Sequence, residues 1–103
     1  MRILVANEPT IYREVISAAF RVLQPCVEAF TAEPEYLDRE FSRLQPQFVV
    51  CSRLTRRVEL DALVWVVLYP HGASRAVVGR LDGRRITLAG IDLDTLLSVL
   101  DNT

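Results

Sequence analysis

A chain of 103 residues, half of them apolar, can bury one core without disulfide or metal staples, and predicts a single domain over 1–103. Its 12 basic and 13 acidic residues leave a net charge of −1, which argues against a nucleic-acid binder that works by counterion release, because such domains carry a basic excess. All 12 basic residues are arginine, so Schiff-base, P-loop and charge-sensing lysine chemistry are excluded.

Two cysteines, Cys26 and Cys51, stand in apolar surroundings with no CxxC or histidine spacing. They read as small buried thiols in a reducing compartment. No charged leader runs into an apolar core, and no apolar stretch approaches about 18 residues. The expectation is a cytoplasmic protein with no membrane contact.

In chain order, residues 2–6 predict a buried strand, carried by the continuous apolar run Ile3-Leu4-Val5-Ala6. Pro9 suits a first helical turn. Ile11, Val15, Ala18, Ala19 and Val22 then recur at helical spacing, joined by Ile16, Phe20 and Leu23. Pro25 breaks that helix, and a second strand is predicted at about Val27 to Phe30. Pro34 and Glu35 open a second helix with Leu37, Phe41 and Leu44 on one face, and Pro46 ends it. FVVCS, at 48–52, reads as a third buried strand. The first half is therefore β-α-β-α-β, which requires parallel strands with helical crossovers.

The second half departs from that rhythm. RLTRRVELDA holds at most one or two helical turns before LVWVVLYP, a fourth strand. RAVVGRL-DG-RRITLAGI predicts a β-hairpin, with Asp82 and Gly83 as a type I′ turn. Asp92 then caps a last helix with Leu93, Leu96, Leu97 and Leu100 as one stripe.

Polar residues at strand ends carry the functional signal. Ligands of open parallel sheets bind outside the carboxyl ends of the strands, where the strand order reverses. Asn7 and Glu8 follow the first strand, Ser52 the third, and Tyr69 and His71 the fourth. A strand order beginning 2-1-3-4 would bring them to one rim.

MRILVANEPTIYRE resembles the start of response-regulator receiver domains, which begin with an apolar strand, an acidic pair and an Arg-Glu in the first helix. RLQPQFVVCS resembles their third-strand segment, which ends in the phosphoacceptor aspartate. The resemblance covers roughly residues 1–69 and implies a three-layer flavodoxin- or receiver-like sheet. It also implies that most of the catalytic set is missing. The Mg²⁺-holding acidic pair falls on Asn7 and Glu8, the phosphoacceptor on Ser52, and the Thr or Ser after strand four on the bulkier Tyr69. The strand-five lysine has no counterpart. Glu8 with one amide and one hydroxyl is a poor set for Mg²⁺, which wants hard carboxylate oxygens and water. The receiver's fourth helix is absent too, because only residues 71–74 separate strand four from the hairpin.

Plainer readings stand beside these. Asn7 and Glu8 suit a helix cap as well as a vestigial pocket. Ser52 fits a hydroxyl bonded to its own loop. Cys51, Ser52 and His71 contain the elements of a nucleophile–base pair but no evident orienting group. Arg53, Arg56 and Arg57 suit either an anion or acidic partner, with His71 beside them, or a solvated loop. Trp65 reads as core. Arg75, Arg80, Arg84 and Arg85 read as charge protecting the hairpin edge.

The expected fold is α/β, an open sheet with a parallel 2-1-3-4 start, a C-terminal hairpin and a final helix. The expected function is a stand-alone, non-catalytic receiver-like signalling or scaffold module that takes no phosphoryl group on aspartate. It would act by protein–protein contact, with no cofactor, metal, nucleic acid or membrane, and with a homodimer through the hairpin edge or last helix as one form. The alternative is a small phospho-ligand binder or enzyme that uses the strand-end rim.

Overall fold

The computed structural model describes residues 1–23, 26–68, 75–80 and 83–89. Six strands form one mixed sheet in the order β2-β1-β3-β4-β5-β6. These are β1 (Arg2–Ala6), β2 (Glu28–Thr31), β3 (Phe48–Cys51), β4 (Val64–Leu68), β5 (Arg75–Arg80) and β6 (Arg85–Ala89). The first four pair in parallel, and β4-β5 and β5-β6 pair antiparallel. The hairpin thus joins beyond β4 and leaves β6 at one edge, opposite β2. Three helices connect the parallel strands: α1 (Thr10–Leu23), α2 (Leu37–Leu44) and α3 (Arg56–Asp61). The final helix expected over 92–100 lies outside the described residues.

Strand order dictates where the helices lie. Parallel crossovers are right-handed. The chain leaves β1 in one direction to reach β2, then returns past β1 to β3, so the two connecting helices must take opposite faces. Accordingly, Ile16 and Phe20 of α1 pack with Ile3, Val5, Ala29, Phe48 and Val50 on one face. Leu37, Phe41 and Leu44 of α2 and Val58 of α3 pack with Leu4, Val49 and Cys51 on the other. β1 lies between two strands and two helical layers, and Ile3, Leu4 and Val5 expose none of their surface.

Local chemistry sets the element ends. α1 begins at Thr10, so Pro9 stands just before the helix instead of within it; its carbonyl accepts from the Tyr12 amide at 3.0 Å. A 3₁₀ turn over Pro34–Tyr36 precedes α2, which ends at Gln45 in the left-handed region (φ 47°) before Pro46. That proline disfavours helical backbone in the residue ahead of it. Thr55 caps α3, its hydroxyl accepting from the Val58 amide at 3.2 Å and donating to Asp38 Oδ1 at 2.6 Å, which ties α3 to α2.

Two expectations are corrected. Register pairs Gly79 with Arg85, leaving the odd-numbered stretch 80–84 between them. A two-residue type I′ turn needs an even number there. The pairing fits a longer loop in which Gly83, at φ 88°, supplies the left-handed residue. Asp82 lies outside the described residues. In α1, the face formed by Ile11, Val15 and Val22 does not reach the core and remains exposed. Periodicity marks both apolar faces of that helix and does not say which meets the sheet.

Trp65, Gly79 and Arg85 occupy matched positions across β4, β5 and β6. The indole lies over Gly79, where a Cβ would fall inside the ring, and the Arg85 guanidinium sits 5.4 Å from the ring centre while pairing with Glu59 of α3. Trp65 is buried, as expected of a core residue. Gly79→Ala should therefore destabilise the fold by about 1–3 kcal/mol through overpacking. Urea unfolding of Gly79→Ala, Trp65→Leu and the double variant tests this: the loss in the double variant should be smaller than the sum of the two single losses.

Candidate functional site at the strand ends

The reversal of strand order at β1 opens a crevice at the carboxyl ends of the parallel strands. A cleft of about 690 Å³ lies there. Glu8, Pro9, Thr10 and Arg13 line it after β1, Glu33, Pro34 and Glu35 after β2, and Ser52 and Arg53 after β3.

Asn7 is fully buried beneath this rim. Its Nδ2 donates to the Leu68 carbonyl at 2.8 Å, across β3 to the end of β4. Its Oδ1 is buried without a partner, so Asn7 does not cap α1. An ionised carboxylate could not make this tie, because it would set oxygen against oxygen. Glu8, by contrast, is exposed. Its backbone N–H donates to Ser52 Oγ at 3.0 Å, and its carboxylate meets Arg53 Nη2 at 3.3 Å. Ser52 is thus bonded to the β1–α1 loop and not to its own. Half-exposed ion pairs of this kind contribute little stability; this one holds two rim residues from different loops together.

Arg13 donates to Thr10 Oγ1 at 3.1 Å and to the Asn7 carbonyl at 3.4 Å, which turns its side chain towards the cleft. The Glu35 carboxyl is held below its usual range, first by its own backbone N–H, then by a hydrogen bond with Glu33 and by the positive charges of Arg53 and Arg13. Three carboxylates and two guanidiniums face the same space, so no positive excess awaits an anion. Among the described residues, no group of three His, Cys, Asp or Glu side chains is placed to hold a metal ion.

Asn7, Glu8, Ser52 and Arg53 are therefore brought together, as the strand-end rule anticipates. Arg56 and Arg57 are not: they begin α3 outside the cleft lining, and Arg57 reaches Asp61 on its own helix at 3.9 Å. Tyr69 and His71 lie outside the described residues. Arg13, Glu33 and Glu35 are cleft residues beyond those that follow β1, β3 and β4 directly. The strand-end rule points equally to the loop after β2, which supplies Glu33 and Glu35, and Arg13 lies one helical turn beyond Thr10 on the cleft side.

Cys51 is buried on the α2 face, its thiol donating to the Val66 carbonyl at 3.7 Å. Burial pushes this thiol up to about 12, which leaves no thiolate to act as a nucleophile at neutral pH. Cys26 is exposed, against the expectation of two buried thiols. It stands between α1 and β2, where neither helix nor sheet covers it.

Comparison with protein-family models and with curated proteins finds no match to this chain. No helix among the described residues is long and apolar enough to cross a membrane.

Titration with an aromatic disulfide reagent at pH 8 should modify Cys26 at once and Cys51 only when the chain unfolds. The fraction reacting before and after urea measures this, and rapid reaction of both thiols in the native protein would contradict the burial of Cys51.

Proposed function

We propose that this chain is a receiver-like module that takes up no phosphoryl group and acts by contact with another protein. The carrying observation is the use made of Asn7. In the receiver resemblance, this position supplies the first carboxylate of the Mg²⁺ pair. Here its amide donates to the Leu68 carbonyl from a fully buried site. The position serves the joint between β1 and β4 and offers no carboxylate to a cation.

Ser52, at the phosphoacceptor position, supports the same reading. Its hydroxyl oxygen accepts the Glu8 amide, and the residue is only 6% exposed. Among the described residues no general base is bonded to it, and a serine without one is a weak nucleophile. The order 2-1-3-4 fits an incomplete receiver frame, with the β5-β6 hairpin where a further βα unit would stand. Without a charge to accept, such a frame lacks the ligand that biases a receiver's switch, and its output is the surface it holds out.

Intact mass after incubation with acetyl phosphate and Mg²⁺, beside an active receiver domain, tests this reading. The expected result is no mass gain while the control is modified. A gain of one phosphoryl group, mapped to any residue, would overturn it.

A further inference from the structure

α1 has two apolar faces, and the fold uses one. Ile16 and Phe20 are buried against the sheet, while Ile11 and Val15 are each 57% exposed and Val22 is 77% exposed. Ala18, between them, is exposed as well. At 3.6 residues per turn these four positions fall within an arc of roughly 60°, on the side away from the core. Their spacing of four, three and four is that of a coiled-coil seam, in which apolar residues alternate between the two inward positions of a heptad. Single exposed apolar residues need no explanation, but a continuous stripe of them marks an interaction surface.

We infer that the Ile11–Val15–Ala18–Val22 stripe of α1 is a self-association surface that pairs two copies of this chain antiparallel, helix against helix. The charges beside the stripe select this occupant and this direction. Glu14 and Arg21 flank it on the same side, two helical turns apart. The opposite flank carries Tyr12 and Ala19, which have no charge to offer. In a two-fold antiparallel pair, like flanks meet. Glu14 of each copy then lies beside Arg21 of the other, twice over, and no like charges are opposed. In a parallel pair the charged flank meets the uncharged one, and both pairings are lost. Charges beside an apolar seam set orientation in this way, and a two-fold interface must complement itself.

Arg21 is already oriented. Its Nη2 donates to the Ala29 carbonyl at 3.0 Å, and a guanidinium carries five N–H donors in all, so this bond alone does not exhaust it. The stripe lies on the helix face opposite the sheet, so pairing through it leaves the strand-end cleft and both sheet edges unchanged.

Sedimentation equilibrium over a concentration series tests the inference, with thermal melts run in parallel. The wild-type chain should show a reversible monomer–dimer equilibrium. Val15→Asp and Val22→Asp should each weaken the dimer about tenfold or more by removing a buried valine, with native circular dichroism and a monomer melt unchanged. Glu14→Arg should weaken it, and Glu14→Arg combined with Arg21→Glu should restore much of the loss. A chain that stays monomeric at every soluble concentration would overturn the inference. So would a dimer indifferent to both valine substitutions, or Val15→Asp and Val22→Asp variants that unfold, since unfolding would mean the stripe is covered within the chain. A dimer lost with either aspartate but unmoved by the charge exchange would overturn the antiparallel direction.

Discussion

The rest of the structure depends on the enclosure of β1. This strand lies between β2 and β3, and Ile3, Leu4 and Val5 are shut away from water. A parallel strand buried on both faces needs a helix on each, and the fixed hand of the crossovers supplies them from opposite sides. The same reversal of strand order opens the cleft at the strand ends. Enclosure also reaches one residue past the strand. Asn7 is as buried as the apolar residues before it, and a buried polar group must be hydrogen-bonded or carry a desolvation cost. Its Nδ2 meets this requirement at Leu68, while its Oδ1 does not.

This has a direct bearing on function. A pocket that handles phosphate and Mg²⁺ needs carboxylates that water and metal can reach. Here the buried member of the Asn7–Glu8 pair is an amide, and the exposed member is turned to Arg53. The Ser52 hydroxyl is engaged by the Glu8 amide. The rim is knit to itself, and three carboxylates offset its two arginines. Among its described residues the cleft holds no positive excess for an anion.

Much of this was readable in the sequence because the signals are strong and local. Apolar runs without alternation marked β1, β3 and β4, and Leu37, Phe41 and Leu44 marked the buried side of α2. The strand-end rule places Asn7, Glu8 and Ser52 at one rim, and the cleft has Glu8 and Ser52 in its lining with Asn7 buried beneath. What failed depended on tertiary choice. α1 carries two apolar stripes, and only packing decides that Phe20 faces the sheet while Val22 faces water. An apolar neighbourhood in the chain did not bury Cys26, because burial depends on what folds over a residue. Asp82-Gly83 signalled a hairpin correctly, but the register was set by pairing further along β5 and β6. The same limit applied to Arg56 and Arg57: proximity to Ser52 in sequence carried them onto α3 and away from the cleft.

Asn7 serves the joint between β1 and β4. Urea unfolding of Asn7→Asp across pH tests this role most directly. The substituted carboxylate would face the Leu68 carbonyl in a buried site, so its pKa should rise above the ordinary value of about 3.9. A raised folded pKa means that the unfolded chain loses its proton first, so the penalty grows as pH rises and shrinks as pH falls through the folded value. The account predicts a loss of about 1–3 kcal/mol at pH 7, partly recovered in acid, where the protonated acid again donates to Leu68, and unrelieved by Mg²⁺. A variant as stable as the wild type at neutral pH, and further stabilised by Mg²⁺, would contradict the account and identify the site as a metal pocket one substitution from use.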